Sequence, residues 1–152
     1  MKRYERTRAL VEGDPAIARA LAHEVESRRG EGAWEIAVVD EPREELVMVQ
    51  VRETAQGTLF YLGEALMTSC RVRVGAHVGR GMVLGSDRRR AYELAVADAA
   101  FSAVACAGDG AFAVRWEDAL RGELARIDAR ETEAARRAAR TKVDFSTMQT
   151  EA

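Results

Sequence analysis

Long apolar runs are missing from this sequence, and with them the roughly 20 consecutive apolar residues that a membrane-spanning helix requires. The start, Met1-Lys2-Arg3-Tyr4-Glu5-Arg6, leads into an amphipathic stretch with no signal-peptide apolar core. Cysteine is scarce. Cys70 and Cys106 stand far apart and form no CxxC, so both are read as reduced, buried thiols of a cytoplasmic protein. Histidine is limited to His23 and His77, and with so few cysteines this offers no metal-ligand spacing. Lysine is nearly absent: only Lys2 and Lys142. A surplus of one charge sign is missing too. The formal net charge is −2, which leaves no electrostatic footprint for nucleic acid or a membrane surface. There is no internal repeat and no low-complexity segment.

What remains is a well-mixed globular composition. The chain has 152 residues, 47% hydrophobic and 32% charged, enough for one domain with a core that needs no disulfide or metal staples. Its cations are almost all arginine, a planar forked donor suited to carboxylate or phosphate. Residues 3–12 read as a short helix ended by Gly13. Asp14 suits an N-cap and Pro15 a first helical position, and Ile17, Ala20, Leu21 and Val25 follow at helical spacing to about Arg29, before Gly30 and Gly32. The period then changes. Residues 34–39 read as a strand, Asp40-Glu41-Pro42-Arg43 as a turn, Leu46 to Val51 as a second strand and Leu59 to Met67 as a third. Arg71-Val72-Arg73-Val74 begins a fourth. Short links between them imply an antiparallel meander.

From Ser86 the helical period returns, with Ala91, Leu94, Ala95, Ala99 and Phe101 as one stripe to about Ala107. Gly108-Asp109-Gly110 reads as a loop. A long helix covers about Arg115 to Arg140, with Trp116, Leu120, Leu124 and Ile127 apolar and Glu133 and Arg137 as i,i+4 partners. The fold class is α+β: N-terminal helices, a meander of about four strands, a central helix, and a long C-terminal helix with an extended tail. Residues 1–140 form one domain and 141–152 a docking tail.

The strands raise the question of partners. Val47, Val49 and Val51 lie on one strand face and Leu46 and Met48 on the other. Phe60, Leu62 and Leu66 likewise oppose Leu59, Tyr61, Ala65 and Met67. Both faces therefore need cover, either from the chain's own helices or from another subunit. In the tail, Val143, Phe145 and Met148 either fold back on the domain or, with Asp144, dock into a partner.

The stretch Gly79-Arg80-Gly81-Met82-Val83-Leu84-Gly85-Ser86-Asp87 opens onto a helix. It matches neither a dinucleotide fingerprint nor a P-loop. Ser86 or Asp87 can cap the helix. Arg88, Arg89 and Arg90 sit at the end of a helix that disfavours cations, so an anion site is one reading and a solvated or ion-paired cluster the other. Arg71, Arg73 and His77 alternate with Val72, Val74, Ala76 and Val78 and are expected to share a strand face facing the same anion. Asp98 falls on the apolar stripe, and a buried carboxylate there needs a partner such as Arg71. Gly79, Gly81, Gly85, Asp87 and Asp98 are read as structural. Ser69 and Cys70 carry no nucleophile pattern, and no catalytic constellation emerges.

Residues 79–98, with Val83-Leu84-Gly85, Asp87, Ala91-Tyr92-Glu93 and Ala97-Asp98-Ala99, resemble the central signature of the PhnG family. Thr141-Lys142-Val143-Asp144-Phe145-Ser146-Thr147-Met148 is similar to its C-terminal signature, and Phe60 to Val74 matches in pattern. Ser146 stands where members often carry a second aromatic, and Ser86 where an arginine is common. The resemblance implies a core complex with PhnH, PhnI and PhnJ in paired copies. With PhnI, PhnH and PhnL, such a subunit supports displacement of adenine from MgATP by a phosphonate, giving a ribose 1-phosphonate 5-triphosphate. The nucleosidase chemistry belongs to PhnI, and PhnJ, a radical-SAM enzyme, later breaks the carbon–phosphorus bond. It further implies a cytoplasmic subunit that binds no cofactor alone, with MgATP a substrate of the assembly and PhnI the main partner.

Overall fold

The computed structural model describes residues 1–30, 34–107 and 109–142, with backbone only for Cys106 and Ala107. Gly32, Gly108 and the tail, including Val143, Asp144, Phe145 and Met148, lie outside the described residues. Along the chain run α1 (Arg3–Glu12), α2 (Pro15–Ser27), β1 (Ile36–Arg52), β2 (Leu59–Val74), β3 (His77–Leu84), α3 (Arg88–Ala107) and α4 (Gly110–Arg140). The α+β class and the antiparallel meander are as expected, in the order β1-β2-β3, but among the described residues the sheet has three strands rather than four.

Three local readings account for the difference. Asp40 to Arg43 is not a turn. Register shifts between Val38 and Asp40 and between Asp40 and Arg43 absorb extra residues inside one long strand, and Pro42, which has no N–H to give, has no ladder partner there. Thr68 and Ser69 do not break β2; they pair with Val83 and Met82. The stretch with Gly79 and Gly81 is itself the third strand. Its glycines hide a β pattern because they are chosen for contact rather than propensity. A Cβ on Gly81 would stand 1.8 Å from the Ala91 carbonyl oxygen, and one on Gly79 would stand 2.2 Å from the Ala99 nitrogen. The backbones of β3 and α3 thus touch, with Ala91, Ala95 and Ala99 on the helix side.

That contact makes α3 the centre of the core. Leu94, Ala95, Val96, Ala97, Ala99, Ala100, Phe101, Ala103 and Val104 are all buried, so the helix is covered nearly all round rather than along one stripe. Cys70, Val72 and Val74 of β2 and Val83 of β3 lie over one side, and the other helices close the rest. Helix α2 starts where expected, with Asp14 accepting from the Ala16 N–H at 2.8 Å. Helix α4 starts five residues before Arg115. Asp109, read as loop, is its N-cap and accepts from the Phe112 N–H at 3.1 Å. That extra turn places Phe112 in the core, its ring centroid 5.1 Å from that of Trp34.

The helices are used up on this packing. No residue from Ala37 to Met67 is buried. Residues 44–52 of β1 and 59–67 of β2 form a two-stranded ribbon reaching about 30 Å, at roughly 3.3 Å per residue. The possibility that the chain's own helices sandwich both sheet faces is therefore overturned among the described residues.

The glycine contact gives opposite signs at two positions. Gly81→Ala is expected to lower stability by at least ~2 kcal/mol, since backbone rather than a flexible side chain must move. Gly122→Ala, in α4 with nothing within 4 Å of the added Cβ, is expected to raise it by ~0.5–1 kcal/mol. Urea unfolding of both variants checks the pair of signs.

Candidate functional site

The expected anion-binding residues do not converge. The two-residue turn Gly75-Ala76 reverses the chain, so His77 pairs with Val74 across β2 and β3. Cross-strand partners share a face, which puts His77 at the margin of the helix-covered side, while Arg71 and Arg73 are on the open side. The expectation that these three side chains share a face is thus corrected; the hairpin breaks the alternation.

Each arginine also has its own partner. Arg71 pairs with Asp40, and Arg73 donates to the Gly75 carbonyl at 2.6 Å. Arg88 lies 3.8 Å from Glu44, and Arg89 pairs with the buried Glu93 at 2.9 Å. Arg90 reaches across to the end of α1 and donates to the Val11 carbonyl at 2.7 Å, satisfying a helix terminus. At the α3 start, Asp87 accepts from the Arg90 N–H at 2.9 Å. Thr68, fully buried, ties the loop together: its hydroxyl donates to the Gly85 carbonyl at 2.6 Å and accepts from the Asp87 N–H at 3.2 Å. Gly85 takes φ +85 there, a left-handed conformation that suits glycine. Ser86 donates to Glu44 at 2.7 Å.

Asp98 is tied down, but not by Arg71. Its two oxygens accept from the Arg3 guanidinium at 3.0 and 2.6 Å, and one also accepts from the Arg80 backbone N–H at 3.1 Å. Arg71 points to the opposite side of the sheet.

What the structure does gather is a different set. On the open face Arg71 stands directly opposite Arg80 across the ladder. With Arg43, Asp40, Glu45 and Ser69 they line a shallow hollow of about 280 Å³. Hydrogen bonding to Arg71 holds the Asp40 carboxyl below the usual range, and Arg43 and Arg80 add to that. Arg43 and Arg80 were not among the sequence candidates. The available signal was Arg80's place between two inward glycines, which marks an outward strand position. Behind this face Cys70 is 1% exposed. Burial pushes its thiol up to about 11, helped by the Glu41 and Asp40 carboxylates. Among the described residues no group of three His, Cys, Asp or Glu side chains could hold a metal ion.

The family model described as phosphonate metabolism protein PhnG matches residues 1–150. The chain belongs to the PhnG family. It is 37% identical over 116 residues to the alpha-D-ribose 1-methylphosphonate 5-triphosphate synthase subunit PhnG of Rhizobium meliloti (strain 1021), a match that covers 75% of this chain and 70% of that protein. Membership of the PhnG family sets the chain within phosphonate metabolism. Residues 79–98 of the chain span the β3–α3 contact and the Asp87 cap.

Two measurements check the geometry. Asp98→Ala is expected to cost about 1–2 kcal/mol. In double-mutant cycles it should couple to Arg3 and not to Arg71; the reverse result would contradict the assignment. In a Cys106→Ser background, Cys70 is expected to react with iodoacetamide at pH 8 at least ~10-fold more slowly than free cysteine, because a raised pKa leaves little thiolate until the pH nears 11.

Proposed function

We propose that this chain is an accessory subunit of the phosphonate-degrading C–P lyase core complex and acts by completing a partner. In this reading it works with PhnI, its main partner, and with PhnH and PhnL. Together they transfer ribose triphosphate from MgATP, the assembly's substrate, to a phosphonate and release adenine; PhnJ belongs to the same core. The chain would bind no cofactor alone and would work in the cytoplasm. No helix among the described residues is long and apolar enough to cross a membrane.

The observation that carries the proposal is the β1–β2 ribbon, which no helix among the described residues covers. Leu46 is 65% exposed, Met48 53%, Phe60 43% and Leu62 66%. The paired Leu46 and Leu66 and the neighbouring pair Val47 and Ala65 occupy opposite faces, so both sides of the ribbon are apolar. An isolated two-stranded ribbon is marginal in water, and an apolar one invites cover. The Rhizobium relative is named as a subunit, which agrees with a chain that is incomplete alone.

A second reading makes the chain a direct contributor to catalysis, with arginines at the α3 start contacting the triphosphate or the phosphonate. Arg88 and Arg89 favour it, with side chains 68% and 74% exposed at the first turn of that helix. Arg90 does not, since it holds the end of α1.

Two sets of variants separate these readings. Replacing Leu46, Met48, Phe60 and Leu62 together by serine should change the isolated chain's stability little, since these side chains are exposed. It should abolish co-purification with PhnI. Retained co-purification would sink the ribbon claim. Arg88→Ala with Arg89→Ala should leave both the complex and its turnover intact; lost turnover in an intact complex would instead favour the second reading.

A further inference from the structure

We infer that the hollow on the open face of the sheet binds a phosphoryl or phosphonyl group between Arg43, Arg71 and Arg80. This site is separate from the ribbon and does not depend on the reading of the chain as a subunit.

The register assembles it. Asp40 pairs with Arg71, and Arg71 with Arg80, so one row of the ladder runs through all three strands. The next row on the same face is Arg43, Ser69 and Met82. Between these rows Cys70 faces the helices, where it is buried. Glu45 completes the lining of the hollow, which holds about 280 Å³. The arginines therefore come from three hydrogen-bonded strands, Arg43 from β1, Arg71 from β2 and Arg80 from β3, and their backbone positions are set before any ligand arrives.

The charges in the hollow are not matched. Arg71 gives its Nε to Asp40, and its terminal nitrogens make no hydrogen bond among the described residues. Arg80 adds its field at Asp40 without bonding to it. The Arg80 backbone N–H is held by Asp98, but its guanidinium makes no hydrogen bond or ion pair among the described residues. Arg43 approaches Glu45 only to 3.9 Å. Three guanidinium groups thus face two carboxylates, and two of them stand directly opposite one another on the ladder. Like charges so placed weaken a sheet, and an anion lying over the pair would offset that.

The donors select the ligand. A carboxylate has two oxygens in one plane, and a single arginine fork fills them. A phosphoryl or phosphonyl group spreads three terminal oxygens around a tetrahedron and carries a charge of about −2, so it accepts from several forks at once. Ser69, beside Arg71 on the middle strand, adds a hydroxyl to the same hollow. Asp40 has two effects: it holds the Arg71 guanidinium in place, and its own charge opposes the anion.

Calorimetric titration of the full chain with inorganic phosphate, pyrophosphate and methylphosphonate, in about 50 mM salt, tests this. At least one of the three is expected to bind with a Kd of about 1 mM or below, and more weakly as salt is raised. Their ranking identifies which kind of phosphorus compound the site takes. Arg80→Ala should weaken binding at least ~10-fold and leave melting of the chain unchanged, because that guanidinium holds nothing in the fold. Arg80→Lys keeps the charge but loses the fork and should fall between the two. Asp40→Asn should tighten binding at least ~3-fold, since an opposing charge is removed. Absence of binding by all three compounds, or undiminished binding by the Arg80→Ala variant, overturns the inference. Acetate binding as tightly as phosphate would mark a carboxylate site and also overturn it. Binding that appears only on truncation after Lys142 would assign the hollow to the chain's own carboxylates, with the same consequence. None of these results bears on co-purification through the ribbon, so the subunit reading stands or falls separately.

Discussion

The backbone of β3 rests on the backbone of α3, and the remaining architecture is arranged around that contact. Gly79 and Gly81 have no side chain to hold the two elements apart, and Ala91, Ala95 and Ala99 present the smallest side chain that still favours a helix. A helix so close to a sheet is buried on that side at once. To bury its other sides the chain spends α1, α2 and α4 around it. Among the described residues none is then left to cover the distal half of β1 and β2, or the open face of β3.

Charge follows the same division. Within the helical half, carboxylates and guanidinium groups are matched closely, as in the Asp98 fork with Arg3 and the Glu93 pair with Arg89. In both pairs the guanidinium is exposed while the carboxylate is largely buried, so solvent screens the arginine side more than the acid. On the open face the balance is looser. Arg71 and Arg80 stand opposite one another with Asp40 as the near carboxylate, which is a surface better suited to meeting something than to closing a fold. The helical half and the sheet half therefore have different tasks: one holds the molecule together, and the other is presented outward.

Much of the architecture was legible in the residues. Asp14-Pro15 announced the start of α2 through cap chemistry alone. The apolar alternation on both faces of Leu46–Val51 and Leu59–Met67 already implied more greasy surface than one side of a sheet can use. The misreadings have a common physical cause. Asp40 to Arg43, Thr68-Ser69 and Gly79 to Gly81 carry residues that locally favour turns, and each is held in a strand by partners distant in sequence. Asp109 failed in the opposite direction: a residue read as loop is a helix cap because Phe112 has a core to enter.

The sequence by itself determined the local events: the Asp14-Pro15 helix start, which strand residues alternate, how many helices form, and that both strand faces are apolar. Those depend on side-chain chemistry over a few neighbouring positions. Only the tertiary structure decided which arginine meets which carboxylate, that His77 turns away from Arg71 and Arg73, and that Arg80 and Arg43 join Arg71 instead. Such pairings are set by hairpin register and by the close approach of α3. Neither can be read from one strand at a time, because a two-residue turn is enough to send the next side chain to the other face.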